Sequence, residues 1–155
     1  MPSRQSAAHS VYAARVSTPL GTLKYLYVGS ARFAEDLAYY RDTLGAALVW
    51  HFHKFGARVA ALRVAEGPLV LLADHRPAPG CMPVFAVADL DRTVAELRAR
   101  GWTPTTGPFE IPDGPCYLFR DPSGNELAVF SDERPDHLVR AYADPDNPAA
   151  IHDKP

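Results

Sequence analysis

The stretch "FRDPSGNELAVF", Phe119 to Phe130, reads as a strand, a tight turn and a second strand. Asp121 can bond the backbone of its own turn, and Pro122 presets the φ that the turn needs. Arg120 and Asp121 therefore take structural roles. Glu126 places a carboxylate on the second strand, and Ala128 follows two residues later. The pair raises the question of whether the hairpin belongs to a metal enzyme.

The segments before this hairpin complete a unit. "MPVFAVAD" is a strand by its composition, and "WTPTTGPFEI" and "GPCYLFRD" are two more. Between the first and second of these, Leu90, Val94 and Leu97 recur on one helical face, Asp89 or Asp91 can cap it, and Gly101 closes it. The same order occurs earlier in the chain. "TLKYLYVGS" is a strand, with Ser30 placed to cap a helix whose face carries Phe33, Leu37, Tyr40 and Leu44. Gly45 ends that helix, and "AALVWHFHKF", "ARVAALRVAEG" and "PLVLLAD" follow as strands. Val28 and Val87 lie 59 positions apart, and Asp74 and Asp132 lie 58 apart. A near-constant offset of this size points to a duplicated module. Each half alone buries too little surface, so two four-stranded sheets, each with a helix on one face, are expected to share an interior between their other faces.

The expected organisation is an N-terminal arm (1–21), a first βαβββ module (22–74), a Pro/Gly linker "HRPAPG" (75–80), a second module (81–131) and a C-terminal tail (132–155). The tail has room for a short helix around 136–142, and the remainder reads as solvated.

Composition narrows the functional classes. The chain has 155 residues, 47% apolar and 22% charged, with a net charge of -2. No Lys/Arg stripe interleaved with aromatics appears, so no nucleic-acid partner is expected. No apolar run reaches membrane-spanning length, and the first residues lack a signal-peptide core, so a cytoplasmic protein is expected. Cys81 and Cys116 form no CxxC pair and read as free thiols, buried or half-buried. Ser123 has no Gly-x-Ser-x-Gly context, and no GxGxxG or P-loop pattern implies a nucleotide cofactor.

The repeats "LYVGSARFAEDLAYYRDTLGA" and "FAVADLDRTVAELRARG", with the ending "FRDPSGNELAVF", resemble the vicinal oxygen chelate superfamily over roughly residues 22–131. That family includes glyoxalase I, extradiol dioxygenases, fosfomycin-resistance transferases and bleomycin-resistance proteins. The resemblance implies an α+β fold of two βαβββ modules whose curved mixed sheets enclose a cavity, and a homodimer. It also says where a metal would sit: a His or Gln on the first strand of a module and a Glu on its last strand, with open positions for substrate oxygens. Counting back five from Val28 and Val87 reaches Leu23 and Met82; counting three on from Asn125 reaches Ala128, and the repeat offset then gives Val70. None offers an oxygen or imidazole donor. The resemblance therefore implies a metal-free member without cofactor.

The remaining candidates surround the expected cavity. His51 and His53 share one face of a strand, and Glu126 shares the face of Ala128. These three could form a displaced metal set, but Glu126 stands roughly 6.6 Å along the strand from the family position, several bond lengths. The histidines could instead hydrogen-bond a ligand, or be partly exposed strand residues. If Leu23 faces the cavity, alternation brings Tyr25 and Tyr27 with it. Val84 and Ala86 join Met82, and Phe130 joins Ala128. Trp102 is a further stacking candidate. Glu110 and Asp113 sit in a Pro/Gly-rich loop that reads as solvated or as cover for the cavity mouth. The expected ligand set is Tyr25, Tyr27, His51, His53, Met82, Val84, Trp102, Ala128 and Phe130, around a small hydrophobic or aromatic molecule. The expected activity is binding without a metal, as in drug sequestration. The alternatives are a metal-dependent lyase or dioxygenase with displaced ligands, and a metal-free isomerase or cyclase.

Overall fold

The computed structural model describes residues 18–153. Most of the expected N-terminal arm lies outside the described residues. The first module runs β1 (Thr22–Gly29), α1 (Phe33–Ala38), β2 (Ala47–Lys54), β3 (Ala57–Arg63) and β4 (Leu69–Ala73). The second repeats the order as β5 (Cys81–Val87), α2 (Leu90–Ala99), β6 (Thr106–Ile111), β7 (Gly114–Arg120) and β8 (Glu126–Ser131). A third helix, α3 (His137–Ala143), follows. No helix among the described residues is long and apolar enough to cross a membrane.

The two expected sheets are continuous. β1 pairs antiparallel with β5, giving one curved eight-stranded sheet in the order β2-β3-β4-β1-β5-β8-β7-β6. Within each module the first and last strands run parallel, Tyr25 opposite Leu69 and Val84 opposite Ala128. Strand alternation then divides the apolar residues between two faces. On one face α1 covers Leu62 and Leu72 through Phe33, and α2 covers Val129 through Leu90 and Val94. The other face carries a cluster built from Tyr25, Trp50, Leu71, Met82, Val84, Ala128 and Phe130. Burying each large side chain of these clusters contributes about 1.5–3 kcal/mol.

Three local expectations change. Asp89 does cap α2, accepting from the Arg92 N–H at 3.1 Å, but Ser30 does not cap α1. Ser30 is buried and its hydroxyl donates to Asp36 at 2.6 Å. The helical face also ends early. Phe33, Leu37 and Tyr40 pack inward, whereas Leu44 is exposed. α1 runs into a wider π turn over Tyr39–Thr43, closed by the Leu44 N–H on the Tyr39 carbonyl at 3.0 Å. A turn of that width rotates the next residues off the 3.6-residue stripe. Cys81, expected to be at least half-buried, is exposed; Cys116 is buried.

The tail departs most from expectation. Beyond α3 the chain returns along the open edge of the sheet. The His53 N–H donates to the Ala149 carbonyl and the Ile151 N–H to the His51 carbonyl, both at 2.8 Å. Arg41 holds Asp153 at 2.8 Å, and the Tyr142 hydroxyl donates to the Ile151 carbonyl at 2.9 Å. An edge strand offers a row of unmade backbone hydrogen bonds, and Asn147–Ile151 supplies partners for β2. The polar, proline-broken composition of this segment carries no sign of that pairing.

Candidate functional site

The inward face of the sheet, α3 and the residues after it enclose a cavity of about 640 Å³. Its walls are mainly apolar. Tyr25 and Tyr27 enter from β1, Met82 and Val84 from β5 and Ala128 from β8. Leu138 and Ala141 close it from α3. Besides the two tyrosines, charged and polar groups are few: Lys54, His75, Arg76, Asp113, His137 and Asn147 reach the lining.

Two of these groups are held firmly. Arg76 pairs with Glu126 at 2.9 Å, and Arg120 approaches the same carboxylate at 3.5 Å. Glu126 is thereby neutralised at the edge of the site. At a second point Asp113 is only 6% exposed, and its Oδ2 accepts the Tyr25 hydroxyl at 3.1 Å. Desolvation raises the Asp113 carboxyl above its ordinary range, and nearby Asp132 adds to this; the Tyr25 hydrogen bond, Lys24 and His137 oppose it. Desolvation, followed by the Asp113 charge, raises the Tyr25 phenol as well.

Local sequence puts Asp113 there. Pro112 and Asp113 form the two-residue turn between β6 and β7, and Gly114 follows at φ 154°. A Cβ at Gly114 would stand 2.0 Å from the Ser131 carbonyl oxygen. Only glycine lets the turn close against the end of β8. The Glu133 and Arg134 N–H groups donate to the Asp113 carbonyl at 3.0 Å each and fasten the turn from below. Glu110, the other carboxylate of this loop, is exposed and bound to Arg134 at 2.7 Å.

The residues expected at the site separate into three groups. Tyr25, Tyr27, Met82, Val84 and Ala128 line the cavity together. Phe130 is fully buried one layer back, stacked on Tyr25 with ring centroids 6.0 Å apart. His51, His53 and Trp102 lie on the opposite face. His51 packs on Phe33 at 5.4 Å, His53 is exposed, and Trp102 meets Phe119 at 5.5 Å beside α2. The reason is strand parity: Trp50 and Phe52 occupy the inward positions of β2, so the alternating histidines face away. His51, His53 and Glu126 therefore do not converge, and among the described residues no three His, Cys, Asp or Glu side chains assemble as a metal site.

Two family positions also shift. The β1–β5 pairing slips between Leu23 and Tyr25, which sets Leu23 opposite Phe85 on the α2 side. The parallel pairings equate Ala128 with Leu69 rather than Val70, because Leu69 faces Tyr25 as Ala128 faces Val84. Val70 packs toward α1. Leu69 thus takes the place of Val70 in the expected set.

Sequence reasoning missed Trp50 and Phe52, although their alternation with His51 and His53 was a readable signal. It missed His75 and Arg76, which the short linker turns into the cavity and nothing in the local pattern marks. It weighed Asp113 and left it in a solvated loop.

Burial of His51 pushes its imidazole below the usual value, with the Arg58 charge adding to the effect. A histidine shifted down favours folding in its neutral form. The contribution is present above the unfolded value of about 6.5 and is lost as pH falls through the folded value. An NMR titration should place the His51 midpoint below about 6.5.

A family model for the Glyoxalase/Bleomycin resistance protein/Dioxygenase superfamily matches residues 23–129. The chain belongs to that superfamily. Solved structures of the superfamily fold agree. Methylmalonyl-CoA epimerase from Mycobacterium tuberculosis is similar, with a TM-score of 0.63 at 18% identity, covering 75% of this chain and 91% of that one. A Streptomyces coelicolor methylmalonyl-CoA epimerase in complex with 2-nitronate-propionyl-CoA gives 0.61 at 15% identity over 74% and 96%. A hypothetical protein from Bacillus halodurans gives 0.61 at 11% identity over 72% and 94%. These identities speak for a shared glyoxalase-type fold. No curated protein matches the chain. In this superfamily member the cavity wall is rich in aromatic rings, and α3 with the residues after it covers the space.

Proposed function

We propose that this glyoxalase-like protein binds a small hydrophobic or aromatic molecule in the cavity, without a metal. The observation that carries the reading is the 640 Å³ space lined by Tyr25, Tyr27, Trp50, Phe52, Val84 and Ala128, with Met82 and Ala128 at two of the positions where the family resemblance implies metal ligands. A space of this size suits a drug-sized ligand, and aromatic walls favour a flat one. Sequestration needs no turnover, since a tight complex lowers the free ligand by mass action. The reading includes a cytoplasmic homodimer.

The test is a thermal-shift screen of aromatic alcohols, including 2-naphthalenemethanol, with native mass spectrometry of the protein as purified. Val84→Trp should fill the cavity and weaken 2-naphthalenemethanol binding by about tenfold or more, while a circular dichroism spectrum reports the fold intact. Absence of any shift across the screen would count for a structural module with no ligand.

A second reading is a metal-free isomerase or cyclase, favoured by one observation, the buried carboxyl of Asp113 within the same cavity. A buried carboxyl raised above its ordinary range can serve as a general acid or base. Chemical change of the co-purifying ligand over time decides for it.

A further inference from the structure

We propose that Asp113 anchors a protonated nitrogen of the ligand, so that the cavity selects hydrophobic amines: an aromatic or aliphatic body carrying one ammonium group. The inference rests on the reading of the cavity as a ligand site and goes beyond it by naming the ligand's charge.

Asp113 lines the cavity yet is more than nine-tenths buried. Its Oδ2 accepts the Tyr25 hydroxyl; among the described residues Oδ1 accepts no hydrogen bond. Nor does any described Lys, Arg or His form an ion pair with this carboxylate. Two cations nearby are engaged elsewhere. Lys24 stands 4.0 Å from Asp132, and Arg134 binds Glu110 and the Pro112 and Ile111 carbonyls. A buried carboxylate with one neutral donor and no counter-ion is costly until a cation joins it. The walls point the same way. Tyr25, Trp50, Phe52 and Phe109 present rings to the same space, and aromatic faces attract ammonium groups. An anionic ligand would have its charge buried against Asp113. A neutral alcohol could donate to Oδ1 but would leave the carboxylate charge uncompensated.

The groups facing Asp113 are Tyr25 and Lys24 from β1, Asp132 beyond β8 and His137 of α3. Because desolvation raises the Asp113 carboxyl, its preference for an ammonium is present at higher pH and is lost as pH falls through the raised value.

The experiment compares 2-naphthylmethylamine with the matched neutral alcohol, 2-naphthalenemethanol, by titration calorimetry on the full chain. The amine should bind about tenfold tighter at about pH 8, and the gap should close toward about pH 4.5. In Asp113→Asn the gap should shrink to about twofold or less, while His53→Gln, on the opposite face of the sheet, should keep both the gap and its loss in acid. Equal binding of the two probes to the native chain at high pH, or a gap that survives Asp113→Asn, overturns the amine assignment and leaves the cavity reading standing. Failure of both probes to bind overturns the cavity reading too. Should Asp113→Asn not fold, the pH series on the native chain decides alone.

Discussion

Replacing Phe130 with alanine lowers the free energy of unfolding by about 3–5 kcal/mol, the range for deleting a buried aromatic ring. Phe130 is 0% exposed and stands in β8, paired to Ala86 on one side and Cys116 on the other. Its ring supports Tyr25 from behind, nearly parallel at an interplanar angle of 9°. Removing it cannot be repaired by collapse, because both neighbouring positions are held by sheet hydrogen bonds. The Tyr25 ring loses its backing, and with it the hydroxyl that Asp113 accepts. Equilibrium urea unfolding measures the loss, which should lower the midpoint with little change in slope. A decrease below about 1 kcal/mol would contradict the placement of Phe130 in the central cluster.

Ending the chain after Pro135 has the larger functional effect. It removes α3, the edge segment along β2 and the Arg41–Asp153 ion pair. Phe52 loses Tyr142, whose ring it meets at 5.8 Å, and the cavity loses Leu138 and Ala141 from its cover. A bound molecule would then face water on the side where it was enclosed. Burial of a large apolar side chain is worth about 1.5–3 kcal/mol, so without the Leu138 cover binding of 2-naphthalenemethanol should weaken by about tenfold or more. The freed edge of β2 should also raise self-association, visible by light scattering. Unchanged affinity in the truncated protein would show that the tail does not close the site.

Legibility in the sequence followed the range of the interactions involved. The hairpin "FRDPSGNELAVF" declares itself through short-range rules, and the Asp121 carboxylate does accept from the Asn125 N–H and its side-chain amide, both at 2.8 Å. The module order and the inward placement of Tyr25, Tyr27, Met82, Val84 and Ala128 follow from period-2 alternation and the repeat offset. The β2 histidines went the other way because parity is binary: choosing their face for the cavity moves every residue of the strand. Leu23 was displaced by one slip in the β1–β5 pairing, which no residue of β1 signals by itself.

What the sequence by itself determined is the duplicated βαβββ order and the apolar interior. These are properties of residue type and period, set before any long-range contact forms. The tertiary structure alone decided that β1 and β5 join two sheets into one, that the tail covers the cavity, and that Asp113 sits buried beside Tyr25. Those features depend on segments 88 residues apart meeting at a hydrogen bond, and on an edge strand finding backbone partners nearly one hundred positions downstream. Local composition carries no record of such meetings. A Pro-Asp-Gly turn looks solvated until Gly114 lets it close on β8, and that closure turns Asp113 from a loop carboxylate into an acidic group lining the cavity.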